Sequence, residues 1–330
     1  MWKTPWQKII KRSEQIVCYP SSLVNIRYLI SDEITSVASQ VRKLVGTHHP
    51  LLQTAKTLIS DTQGVTELRG LIVLLISKTF TRPPFAINAE QRSVAEIVET
   101  AHTAICIHKD LVNIEKSPQN KPTNWYYDMQ FGNKMATLCG DYLLASVSKA
   151  LAEFQNTNIV NTVSKGIGDT IESLFCKVNV DNEENYRRYV YLSSGSLLSK
   201  CCKISVSLRT NVNDFVDLTK SDEDLAEKWS IHWCELYNIC EHINALVIQL
   251  SNEKITSKIF PISKKLLQSD NLSDDLQFLH EYLCKTKILV MNSHKSLPEY
   301  DLQSKSILAE MVELLYQDAI HSLNLCRMLP

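Results

Sequence analysis

Residues 69–78, Arg-Gly-Leu-Ile-Val-Leu-Leu-Ile-Ser-Lys, constrain the fold more than any other stretch of this chain. Leu71 to Ile76 are consecutive apolar residues. Wound as a helix they point in every direction and leave no stripe for water, so that helix must be buried on all sides by others. The rest of the sequence can supply them. Only 8 Gly and 10 Pro interrupt 330 residues, 44% of which are hydrophobic. Apolar positions recur at three- and four-residue spacing through most of the chain, and no train of alternating residues suggests strands. The expectation is an all-α protein built as a single large antiparallel helix bundle over residues 21–330, preceded by a short leading segment at 1–20.

Local signals place the helices. Ser31-Asp32-Glu33 reads as a helix start, because a short polar side chain and early acids satisfy free amides and the positive end of the helix dipole. That helix is predicted to reach Leu44, with Gly46 closing it and His49-Pro50 opening the next over Leu51 to Ile59. Thr81-Arg82-Pro83-Pro84 ends the central helix. Val94, Ile97, Val98, Ala101, Ile105, His108 and Val112 then keep one mostly apolar face in a helix predicted to end near Asn113. Lys116 to Asn124 is a predicted loop. Helices over about 128–154, 160–175, up to 208 after the turn at Asp181 to Asn185, 223–250, 274–291 and 303–324 complete the set.

Composition removes several function classes. The 35 basic and 36 acidic residues nearly cancel, so no global field draws nucleic acid. The run from Leu71 to Ile76 is far shorter than the ~20 residues that span a bilayer, so no transmembrane helix is expected. The 10 cysteines contain no Cys-x-x-Cys and lie mostly in apolar helical segments, which favours buried reduced thiols over disulfides or zinc. The histidines lack a ligand pattern: His48 and His49 are adjacent, and His102 and His108 do not share a helical face. Lys3, Lys8, Lys11 and Arg12 put four bases and no acid in the first twelve residues. This fits either a short organelle-targeting segment or a basic first helix of the fold.

Two stretches carry the functional signal. His102-Thr103-Ala104-Ile105-Cys106-Ile107-His108-Lys109-Asp110-Leu111-Val112-Asn113 has the pattern of a helix that brings a motif to its end, with Lys109 and Asn113 standing where a magnesium site needs negative charge. Phe131-Gly132-Asn133-Lys134-Met135-Ala136-Thr137-Leu138-Cys139-Gly140-Asp141-Tyr142-Leu143-Leu144-Ala145 follows after a polar gap. With Ile30 to Ile34, Val41 to Leu52 and Leu68 to Lys78, these landmarks resemble the trans-isoprenyl (polyprenyl) diphosphate synthases. Within that family they resemble most the second-subunit type of the long-chain synthases that make the ubiquinone side chain. The likeness covers Trp6 to Leu250 well and the last helices loosely. It implies the all-helical isoprenoid synthase bundle.

The family's chemistry requires two DDxxD motifs on facing helices, whose carboxylates hold the magnesium ions that bind and polarise an allylic diphosphate. The first corresponds here to Lys109-Asp110-Leu111-Val112-Asn113 and the second to Glu241-His242-Ile243-Asn244-Ala245. Each keeps one acid. A fixed ammonium at ~4 Å repels a unit positive charge by about 4 kcal/mol at an effective dielectric near 20. The segment whose cations grip isopentenyl diphosphate corresponds to Val65-Thr66-Glu67-Leu68-Arg69-Gly70, in which Arg69 alone survives and Glu67 repels a diphosphate. The arginine pair expected after the first motif falls at Pro118-Gln119-Asn120, and the family's Lys-Thr pair at Tyr189-Val190. Lys109, Asp110, Asn113, Glu241, His242, Ala245, Thr66, Glu67, Arg69 and Tyr189 are therefore degenerate site positions, and no catalytic, cofactor or metal residue is expected in this chain.

Asp110 and Glu241 read as solvated or salt-bridged acids, Ala104 as a packing residue, and Gly140 and Asp141 as aids to close helix approach. The resemblance implies a non-catalytic subunit that pairs, through the region of Phe131 to Phe175, with a catalytic homologue that holds the magnesium. It also implies mitochondrial residence, in the matrix or on the matrix face of the inner membrane. Two other readings stand beside it. One is a self-sufficient divergent prenyltransferase drawing acids from Glu115 or Asp128; the other is a helical adaptor or lipid-binding module.

Overall fold

The computed structural model describes residues 3–19, 49–51, 68–114, 123–175, 183–209, 220–251 and 272–328, and every regular element among them is helical. The helices are α1 (Lys3–Val17), α2 (Leu68–Thr79), α3 (Ala89–Lys109), α4 (Thr123–Glu153), α5 (Thr157–Glu172), α6 (Glu183–Val190), α7 (Ser196–Ser207), α8 (Lys220–Ser251), α9 (Leu272–Lys295) and α10 (Leu302–Met328). The helices expected over 31–44 and 51–59 lie outside the described residues, although Pro50 and Leu51 have helical backbone.

α2 occupies the centre. Leu71 to Ile76 are each at most 1% exposed, and α2 is touched by α1, α3, α7 and α10. Around this axis α8 packs on α7, α9 and α10, and α4 lies against the far side of α3. One large hydrophobic cluster runs through α1, α2, α3, α7, α8, α9 and α10, and a smaller one of Leu51, Ala104, Ile107, Met135, Ala136 and Leu143 fills the α3–α4 seam. The all-α bundle is the architecture the sequence implied.

Capping explains where several elements begin. Asn88 accepts a hydrogen bond from the Gln91 amide at 2.8 Å while the Gln91 side chain accepts from the Asn88 amide at 3.0 Å, so α3 starts at Ala89 rather than Val94. The same two side chains donate to the carbonyls of Leu208 and Ser205, which ties the start of α3 to the end of α7. α4 begins at Thr123, inside the stretch expected to be loop. The helix expected to reach Leu208 is divided by one wide turn with i to i+5 bonding at Tyr191–Gly195. There the Lys200 ammonium meets Asp169 at 3.1 Å and the Tyr191 hydroxyl at 2.9 Å, and its Ser196 contact completes three donors. Burial alone lowers the Lys200 pKa, but these partners outweigh it and leave it raised.

Residues 1–20 were read as a leading segment, and residues 3–17 form α1, which is docked into the bundle. Trp6, Ile9 and Val17 enter the main core, the Trp6 Nε1–H donates to Asp318 at 3.1 Å, and Arg12 grips Glu310 through two nitrogens at 2.6 and 3.3 Å. The basic side of this amphipathic helix is thus partly used within the fold. All nine described cysteines are free, and burial pushes the Cys201 and Cys234 thiols up to about 12.

Trp6→Ala should cost about 3–5 kcal/mol of folding stability, because it empties a fully packed site between α1 and α10. Urea denaturation checks this; a loss below about 1 kcal/mol would mean that α1 is peripheral.

Candidate functional site

Glu99, His102, Cys106 and Lys109 follow one another at helical spacing along one face of α3, toward the N-terminal turn of α2 and the cleft face of α8. Glu99 is 4% exposed, and its carboxylate accepts the Gly70 amide at 2.9 Å, which satisfies a donor in the first turn of α2. Burial pushes the Glu99 pKa up, while the Arg69 guanidinium and the amides of Gly70 and Arg69 pull it back. His102 is held well below its ordinary value by burial and then by the charges of Arg69 and Lys109, so it is a neutral ring whose Nε2 lies 3.3 Å from the Cys106 sulfur. Across on α8, burial raises Glu241 and Arg69 again opposes the shift. The one surviving cation of the diphosphate segment therefore sits within electrostatic reach of acids on both walls.

The first-motif positions do not share a helical face, because α3 stops at Lys109 and not at Asn113. Asp110 closes it as C-cap with φ −80° and ψ −1°, and is itself only 1% exposed, while Lys109 and Asn113 are exposed. What holds the next residues is Asn133 on α4. Its Oδ1 accepts the Val112 amide at 2.8 Å and its Nδ2 donates to the Val112 carbonyl at 2.8 Å. Both backbone groups that a continued helix would use are thereby taken.

The same carboxamide oxygen lies 3.1 Å from His49 Nε2, and His49 Nδ1 accepts the Leu51 amide at 3.1 Å. A ring that accepts at Nδ1 carries its proton on Nε2 when neutral, so Nε2–H donates to Asn133. His49 is 2% exposed and seated against Gly132, where an added Cβ would come within 2.3 Å of its ring. Eight residues along α4, His108 sits on Gly140 in the same way and meets Asp141 at 3.3 Å. The two glycines of the 131–145 stretch are notches for two imidazoles. Gly140 and Asp141 do pack and bridge helices, as expected.

On α8 the second-motif positions diverge. Glu241 and Ala245 are half-buried, whereas His242 is 2% exposed and hydrogen-bonded to the Tyr186 hydroxyl at 2.9 Å. Burial lowers His242 from 6.5 to about 4 and raises Tyr186 well above its ordinary value, so both are neutral. Asn244 accepts a hydrogen bond from Ser322 at 2.7 Å. Tyr189 is half-buried against the main core. Thr66, Glu67, Glu115 and Pro118 to Asn120 lie outside the described residues; Asp128 is half-buried on α4.

The magnesium that the family implies does not fit these residues. Mg2+ demands a compact octahedral set of oxygens, commonly supplied by carboxylates. Here the first-motif acid is buried beside an exposed ammonium, and the second is paired electrostatically with Arg69 and followed by an inward imidazole. Among the described residues no three His, Cys, Asp or Glu side chains are placed to share a metal ion. Glu99 and Asn133 were not singled out from the sequence as site residues. The spacing of Glu99 to His102, Cys106 and Lys109 was a signal for the first, and the neighbouring Gly132 was the only one for the second.

A family profile described as polyprenyl synthetase matches residues 49–228. The chain is similar to all trans-polyprenyl-diphosphate synthase PDSS2 of Mus musculus, with 39% identity over 225 residues covering 62% of this chain and 55% of that protein. It is also similar to the probable hexaprenyl pyrophosphate synthase, mitochondrial, of Yarrowia lipolytica, with 26% identity covering 64% of this chain and 62% of that one. The chain thus spans less than two thirds of the length of these curated relatives. Among solved structures, a geranyltranstransferase from Methanosarcina mazei has the same fold, with a TM-score of 0.61 at 16% identity over 88% of this chain and 98% of that one.

Gly132→Ala should lose about 1–3 kcal/mol, because the pinned His49 ring cannot yield to the new methyl group. Paired with His49→Ala it should cost less than the sum of the two single changes; strict additivity in a double-mutant cycle would refute the notch. His242 predicts a pH effect. Between pH 6.5 and 4 the unfolded chain binds a proton there that the folded chain does not, so stability falls on acidification, by up to about 3 kcal/mol from this group. His242→Gln should flatten that part of the pH-stability curve, and an unchanged slope would show that the ring is not buried neutral.

Proposed function

We infer, from the premise that the chain belongs to the polyprenyl synthetase family, that it is a non-catalytic subunit of a heteromeric long-chain trans-polyprenyl diphosphate synthase. Its partner is a catalytic homologue with both acidic motifs intact, which condenses isopentenyl diphosphate with an allylic diphosphate and holds the Mg2+. The product supplies the ubiquinone side chain, and the complex resides in the mitochondrion. The names of the mouse and Yarrowia relatives support the reaction class, and the latter's name supports the compartment. No described helix is long and apolar enough to cross a membrane.

The observation that carries this reading is the charge of the cleft. Where the chemistry needs converging carboxylates, this chain offers one buried acid beside Lys109 and one acid facing Arg69. A diphosphate leaving group cannot be gathered with its cations on such a surface. What the chain retains is shape. Tyr127, Leu138 and Tyr142 recur on the outer side of α4 at 68%, 54% and 43% exposure, and Leu174 and Phe175 are exposed just beyond α5. An apolar face of this kind, rimmed by Lys134, Asp141 and Lys149, suits a partner of the same fold.

Co-expression with a catalytic homologue from the same genome tests the proposal. The pair should co-purify and make polyprenyl diphosphate faster than the homologue alone, while this chain alone makes none. Leu138→Glu should weaken the complex at least about tenfold, or about 1.4 kcal/mol, without lowering this chain's own melting temperature. Robust synthase activity from this chain alone would establish the self-sufficient reading. A stable complex whose main partner is not a synthase would establish the adaptor.

A further inference from the structure

The family's first metal motif works because a helix carries its acids past one another at i, i+1 and i+4. In this chain the helix ends at Lys109, and Val112 beyond it is held by contact to α4. Asn133 makes the paired 2.8 Å bonds to both backbone groups of Val112, and its oxygen also receives the 3.1 Å bond from His49. His49 is buried, anchored by the Leu51 amide and seated in the Gly132 notch, so Asn133 cannot rotate away without stranding buried polar groups. One turn earlier, His108 is fixed to α4 through Gly140 and Asp141. The backbone from 108 to 113 is thus tied to α4 at both ends.

We propose that the first metal motif is disabled in the backbone as well as in the side chains: Asn133 is a positioning residue whose clamp on Val112 keeps residues 110–113 off the helical path, so that positions 109, 110 and 113 cannot converge on a cation whatever residues occupy them. The proposal rests on the non-catalytic reading above and deepens it. Its consequence is functional, because a subunit locked in this way cannot compete with its partner for the magnesium diphosphate that the partner must bind. Asp110, the C-cap at the start of this stretch, is itself buried.

Calorimetric titration with Mg2+ and inorganic pyrophosphate on the full chain tests this, together with hydrogen exchange at the Val112 amide. Lys109→Asp with Asn113→Asp restores charge at two exposed positions and should give no saturable binding. Adding Asn133→Ala to that pair should create it. Asn133→Ala by itself should speed Val112 exchange by at least about tenfold, since the amide loses the acceptor that Asn133 supplies. Should Asn133→Ala fail to fold, Asn133→Asp keeps the acceptor for Val112 and His49 but removes the donor to the Val112 carbonyl, and binding in that triple variant is read instead. The proposal falls if the two restored acids bind on their own, if releasing Asn133 adds no binding to them, or if Val112 exchange in Asn133→Ala is unchanged. In each of those cases the non-catalytic reading survives. Saturable binding by the unaltered chain would instead overturn that reading itself.

Discussion

The architecture depends on a helix that has no outside. Because Leu71 to Ile76 are apolar in every direction, α2 is stable only when α1, α3, α7 and α10 surround it, and each of those side chains contributes about 2 kcal/mol by leaving water. That requirement fixes α3 beside α2 along its length. It also creates a local cost, because the first turn of α2 presents amides with no intrahelical acceptor. Glu99 resolves it from the neighbouring helix by accepting from Gly70. The central helix therefore sets which α3 residues approach Arg69, and the cleft wall follows from core packing.

α4 is held differently. Val147 and Leu151 join its C-terminal half to the main core, whereas nearer its N-terminus a small apolar cluster is supplemented by two imidazoles set on glycines and by one carboxamide. Such contacts contribute modest net energy, but breaking the buried one at His49 is costly because it leaves a buried group unmet. They act as registration marks. His108 fixes how α4 sits along α3 and His49 how it sits against residues 49–51, and together they help decide which residues of α4 face outward as Tyr127, Leu138 and Tyr142. The outer apolar face and the inner cleft segment are thus set by the same few side chains.

The all-helical bundle, the buried central helix and the neutral free thiols were legible because periodicity and the scarcity of breakers report directly on burial. That Lys109, Asn113, His242 and Ala245 are not acids is read directly from the sequence. The end of α3 was not. Val112 continues the apolar period of the helix, and nothing local announces that Asn133, twenty-one residues later, takes both its backbone groups. The role of Glu99 was equally hidden, since an acid in a helical sequence is ordinarily solvated and only tertiary placement at the start of α2 makes it a cap. Gly132 and Gly140 could be recognised as sites of close approach, but not as seats for particular histidines.

These features bear on how the acids of the cleft are balanced. A cleft with several facing carboxylates is strained by their mutual repulsion unless cations are present, and its stability is then linked to ligand. Among the described residues two acids near Arg69 each have an internal counterweight. Glu99 faces helix amides and Arg69, Glu241 faces Arg69, and His102 and His242 are neutral. For these groups the electrostatic balance is reached within the chain, between α3, α8 and Arg69. On the proposed non-catalytic reading, what the substitutions remove from catalysis they also remove from ligand dependence, so the shape offered to a partner would not vary with substrate supply.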